Sequence, residues 1–202
     1  MKLYEGFPES VVIDGITYRL NLSFDRVLRY FELFGEPELN AEDITDIGYS
    51  WLVIKPQNVP LVVKSAVLAH IRGEILSPPC RSLHTQKKQP KAVDFSYDAE
   101  KIYSSFMQAY GIDLIKMRGK MHWCSFIALF RGLPDDTPIK RIMNIRTKEI
   151  PVPTKSNAKY IQNLAELKTL YALPAECSEG EMQDKQDNLN NLFDFLLAKA
   201  GE

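Results

Sequence analysis

The spacing of apolar side chains along this chain shifts early from a period of two to a period near three and a half. Val11-Val12-Ile13 and Ile16-Thr17-Tyr18-Arg19-Leu20 flank Asp14-Gly15. Two strand-forming runs around Asp-Gly predict a β-hairpin, because Asp-Gly supplies the positive φ angles of a type I′ turn. From Ser23 onward Phe24, Val27, Leu28, Phe31 and Leu33 or Phe34 fall close to helical spacing. The Ser23 hydroxyl is placed to cap that helix, Asp25 favours its first turn, and Gly35-Glu36-Pro37 ends it. Ala41 to Trp51 carries a weaker pattern, with Ile44, Ile47, Trp51 and Leu52 as inward positions. Pro60 to Ile71 predicts another helix, with Pro60 at its first position, Asn58 as a nearby cap and Gly73 as its stop.

The carboxyl half repeats the helical period between clear stop signals. A helix capped at Asp94 or Ser96 carries the stripe Ile102, Tyr103, Phe106 and Tyr110, and Gly111 closes it. A second runs from about Gly119 to Phe130 with Trp123, Phe126, Ile127 and Phe130 on one side, stopped by Gly132-Leu133-Pro134. Thr137-Pro138 is a start signal for a third, which carries Ile139, Ile142 and Met143 and ends before Pro151 and Pro153. Ser156 to Tyr171 carries Tyr160, Ile161, Leu164, Leu167 and Leu170. Glu179 to Lys199 carries Leu189, Leu192, Phe193 and Leu196 after a polar beginning.

Between the halves, Gly73 to Val93 holds Pro78, Pro79 and Pro90 and the basic group Arg81, His84, Lys87, Lys88 and Lys91. Such a composition buries too little surface to offset its ordering entropy and reads as a linker. The expected fold is therefore mostly α, an N-terminal β-hairpin followed by helices in a multi-helix bundle of two small lobes. The expected division is residues 1–73, a linker at 74–93, a helical lobe at 94–175 and a C-terminal helix at 176–202.

Composition narrows the function classes. Of the 202 residues 45% are apolar, enough for a real core. The formal net charge is -1, which disfavours a duplex-binding role, since phosphate neutralisation needs a basic excess. A nucleic-acid-binding regulator would have to act through Arg81 to Lys91. Nowhere do about 18 apolar residues run together as a membrane span requires, and Glu5 and Pro8 stand where a signal peptide needs an apolar run. A cytosolic location is the expectation. Cys80, Cys124 and Cys177 are odd in number and widely spaced, so they read as free thiols rather than a disulfide or zinc framework.

No catalytic constellation, cofactor-binding loop or metal-ligand spacing is present, and the chain reads as a non-enzyme without cofactor or metal. Asp94 and Asp98, and Asp135 and Asp136, are carboxylates at helix starts, where accepting amide hydrogen bonds explains them. His122 beside Trp123 is the most tempting pair, yet a tryptophan with Phe126, Ile127 and Phe130 is most simply a core anchor. Tyr103 and Tyr110 are seven residues apart and share a helix face, suited to an interface or to the lobe's own core. Arg146 reads as a buried-edge cation paired with a carboxylate such as Asp113. Tyr103, Tyr110, His122, Trp123 and Arg146 are the candidate partner-binding residues.

The run Asp94-Phe95, Asp98, Ile102-Tyr103, Phe106 and Tyr110-Gly111-Ile112-Asp113-Leu114 is followed by His122-Trp123, Phe126, Leu129, Gly132-Leu133-Pro134, Thr137, Ile142 and Ile145-Arg146. Together they resemble the phage gp-fifteen family, encoded in the tail-gene cluster of tailed phages and prophages. The Asp-Gly hairpin with Ser23-Phe24-Asp25-Arg26, and the closing Leu164, Leu167-Lys168 and Tyr171, look like the same family. Cys124 departs from the second aromatic that the family tends to place after His-Trp. The resemblance implies a mostly helical protein of the host bacterial cytoplasm acting in tail morphogenesis. Its implied role is a non-virion chaperone for the tape-measure protein, with the tail tube protein and self-association as further partners. The alternative is a structural tail or connector adaptor retained in the virion. The family supplies no catalytic residues.

Overall fold

The computed structural model describes residues 4–76, 92–154 and 157–174. The basic group from Arg81 to Lys91 and the helix expected from Glu179 lie outside the described residues. Those residues are mostly helical, with seven α-helices and one two-stranded antiparallel sheet. They form two compact units. The first takes residues 4–76 and 117–129, and the second takes 92–116, 130–154 and 157–174.

In the first unit β1 (Ser10–Ile13) pairs with β2 (Ile16–Arg19). Ser10 stands opposite Arg19 and Ile13 opposite Ile16. The turn forms as expected, with Asp14 at φ 50° and Gly15 at φ 76°. This register sets Val11 across from Tyr18, and both are buried. α1 (Phe24–Glu32) runs into a 3-10 turn at Leu33–Gly35. It buries Tyr30 as well as Phe24 and Val27, while Leu28 and Phe31 are only half-buried. Burial pushes the Tyr30 hydroxyl up to about 12, with Arg72 pulling the other way.

α2 (Ala41–Leu52) starts at a reciprocal cap: Asn40 Oδ1 accepts from the amides of Glu42 and Asp43, and Asp43 accepts from the Asn40 amide. Gly48 lies against the Tyr30 ring so closely that a Cβ there would stand 2.5 Å from Cε2. Only glycine lets α1 and α2 approach at this point. α3 (Leu61–His70) follows Pro60, which caps rather than occupies the first helical position. The chain does not stop at Gly73 but continues as a π segment, Ile71–Leu76. Burial of Ile71, Ile75 and Leu76 outweighs the glycine penalty of about 1 kcal/mol.

In the second unit α4 (Ala99–Tyr110) buries Ile102, Ser105 and Phe106 and ends at Gly111 in the left-handed conformation, φ 65°. α5 (Trp123–Arg131) belongs to the first unit through Leu129, while Phe130 is counted with the second. α6 (Pro138–Thr147) buries Ile139, Ile142 and Arg146. α7 (Ala158–Leu170) buries Leu164 alone. The second core gathers Ile102, Phe106, Leu133, Ile139, Ile142 and Leu164, with Phe95 tilted against Phe130 at 5.3 Å.

Candidate functional site

Two helix starts, those of α1 and α6, are met by neighbouring elements rather than by the caps read from sequence. Ser23 precedes α1, yet its hydroxyl makes no capping bond. The Phe24 amide donates instead to the Met121 carbonyl at 3.0 Å, and the Trp123 amide donates to Leu22 at 2.7 Å. Ser23 and His122 thus face each other in a short antiparallel bridge. Asp25 accepts the Gly119 amide at 2.8 Å, and Gly119 takes φ 70°. This turn delays the start of α5 from the expected Gly119 to Trp123. Thr137 precedes α6, but its hydroxyl donates to Pro134 at 2.7 Å, and the Ile139 amide is met by Ser105 Oγ of α4 at 3.0 Å.

His122 and Trp123 lie together in the first unit. His122 Nδ1 accepts the Cys124 amide at 3.1 Å, so the imidazole itself caps α5. Its ring stacks on Phe7 at 4.8 Å and an interplanar angle of 3°. Burial lowers the His122 pKa, with the Pro8 backbone and Glu9 countering in part. Trp123 is buried, edge-on to Phe31 at 5.7 Å and stacked near Phe126 at 5.7 Å. Burial raises the Cys124 thiol, which makes it a poorer nucleophile.

Tyr103, Tyr110 and Arg146 lie in the second unit. Both tyrosines are half-buried on α4, and Tyr110 meets Phe106 edge-on at 5.9 Å. Arg146 is buried and grips Asp98 bidentately, at 2.6 Å through Nη1 and 2.8 Å through Nη2. Two further donors, on Nε and Nη1, reach the carbonyls of Tyr171 at 2.6 Å and Ala92 at 3.1 Å. The partner is therefore Asp98, not Asp113. Asp113 is held below the usual carboxylate range by Lys116, its neighbour at 3.2 Å. Asp94 behaves as a turn acceptor for the amides of Ser96 and Tyr97, at 3.0 and 2.8 Å. Asp98 accepts the Asp94 amide at 3.0 Å but makes no capping bond to α4; its carboxylate is turned to the buried guanidinium, a charge-assisted partner stronger than a helix amide.

Sequence reasoning missed an exposed apolar face on the second unit. On α7 Tyr160 is 45% exposed, Leu167 39% and Leu170 69%, and on the preceding segment Ile150 is 51% and Val152 81%. Lys148 Nζ sits 5.5 Å from the Tyr160 ring, which places that segment beside α7. Spacing alone groups these residues with the buried side: Tyr160, Leu164 and Leu167 are four and three residues apart and share a face of α7, yet of the three only Leu164 is buried.

Among the described residues no three His, Cys, Asp or Glu side chains converge as a metal site. Nor is any described helix long and apolar enough to cross a membrane. A family model described as Bacteriophage Gp15 protein matches residues 3–173. No curated protein and no solved structure matches the chain.

Proposed function

The chain belongs to the Bacteriophage Gp15 protein family, and from that premise we propose that it acts in tail assembly as a chaperone absent from the finished virion. Its client is the tape-measure protein, held until tail tube subunits polymerise around it. The observation that carries this reading is the exposed face of Tyr160, Leu167 and Leu170 on α7. Apolar side chains at helical spacing suit an amphipathic helix laid alongside, which buries area at about 25 cal/mol per Å². A modest patch gives a moderate affinity, and a client that must be handed on requires one.

Co-expression with the tape-measure protein of the same phage tests the reading. The expected result is a more soluble client and a complex that elutes together, with the chain missing from purified virions by mass spectrometry. Unchanged client solubility with no complex would end the chaperone reading. Stoichiometric recovery from virions would favour a structural tail or connector adaptor instead.

A further inference from the structure

On the first unit, two guanidinium groups meet at Trp51, the penultimate residue of α2. Arg26 Nη1 donates to the Trp51 carbonyl at 2.8 Å, and Arg29 Cζ lies 4.5 Å from the centroid of the Trp51 ring. Both arginines are exposed and the indole is half-buried. The same end of α2 leads into a segment that runs along β2, since the Ile54 amide donates to the Arg19 carbonyl at 2.8 Å. That pairing brings exposed Arg19 alongside Ile54 and its neighbour Lys55, which is also exposed. Among the described residues, ion pairs engage Lys64, Lys101, Lys116 and Arg146. Arg19, Arg26, Arg29 and Lys55 have no carboxylate partner there.

We propose that Arg26, Arg29 and Trp51, flanked by Arg19 and Lys55, form a docking surface for a carboxylate-rich segment of a partner protein. Capping the end of α2 uses one of the five N–H donors of Arg26 and none of those of Arg29. The remaining forks match carboxylates bidentately, a geometry lysine does not offer. Arg29 is held over the indole before any partner arrives, which lowers the ordering cost of binding. Tryptophan and arginine are also the residues that most often dominate interface energetics.

Nucleic acid fits the same cations less well. The chain as a whole has 25 basic and 26 acidic side chains, and four local cations neutralise few phosphates. Arg29 also covers an indole face on which a base would stack. The surface lies on the first unit and is polar, so the inference goes beyond the client-holding role of α7 and does not rest on it.

The test uses the full chain and a fluorescein-labelled peptide of about ten residues alternating glutamate and alanine, followed by anisotropy at about 50 mM salt. Saturable binding that weakens with added salt is expected. Arg26→Gln with Arg29→Gln should raise Kd about ten-fold or more, while Lys159→Gln on α7 changes it less than about two-fold. If the double variant loses its circular dichroism signature, Arg29→Gln alone carries the test, since only the ring contact is removed. No saturable binding, or a folded variant with unchanged Kd, would overturn the proposal. So would a short DNA duplex that binds at least as tightly and is lost by the same substitutions.

Discussion

The Asp98–Arg146 pair shows what a single buried contact does in this protein. Both side chains are nearly free of solvent, at 3% and 5% exposure, and every guanidinium nitrogen is engaged. Removing the charge from Asp98 would strand a buried cation, which costs about 3–5 kcal/mol. Asp98→Asn should lower the unfolding free energy measured in urea by that amount, moving the midpoint down in proportion, and an unchanged midpoint would mean that the carbonyls of Ala92 and Tyr171 suffice to hold Arg146. His122 makes a pH-dependent contribution of definite sign. Its folded pKa lies below the ordinary value of 6.5, so the unfolded chain takes up the proton first. The stabilisation is complete above pH 6.5 and declines as the pH falls towards the folded value. Thermal melts between about pH 7.5 and 5 should show this decline, and His122→Asn should flatten it, because the amide oxygen can still accept the Cys124 N–H.

Helix positions were legible in the sequence to within a few residues, because apolar spacing and Gly or Pro stops act locally. The hairpin was the clearest case, since Asp14-Gly15 dictates its own backbone. Capping partners were not legible. Ser23 and Thr137 have the right chemistry for caps, but Met121 and Ser105 meet the amides near those starts. A carbonyl or hydroxyl brought in from another element leaves no trace in the local pattern. α7 carries the functional consequence at this scale. Leu167→Glu with Leu170→Glu alters exposed positions only, so stability should change by less than about 0.5 kcal/mol. The same double substitution should abolish co-elution with the tape-measure protein. Undiminished co-elution from a folded variant would move the client surface away from α7.

The first unit is assembled from two separated stretches of chain. Residues 117–129 lie between segments of the second unit in sequence, yet they supply a carbonyl to Phe24, an amide to Leu22 and a ring to Phe24, whose stack with Phe126 spans 4.9 Å. A fragment of residues 1–81 therefore lacks part of its own core. Its amide proton spectrum is expected to be poorly dispersed, and joining residues 117–131 through a short glycine-serine linker should restore dispersion. A well-dispersed spectrum from 1–81 alone would show that the returning segment is dispensable. Pattern alone groups α5 with α4 and α6, because sequence neighbours are the default assumption about what packs together.

The sequence by itself determined the helical class, the hairpin turn, most element boundaries and the family, since each rests on local periodicity, turn chemistry or motif. Tertiary structure alone decided which carboxylate meets Arg146, which groups meet the first amides of α1 and α6, and why residue 48 must be glycine. It also decided that α7 leaves Tyr160, Leu167 and Leu170 uncovered, and that Arg26 and Arg29 converge on Trp51. Each of these depends on contacts between residues distant along the chain, and a one-dimensional pattern records what a side chain is without recording what stands opposite it.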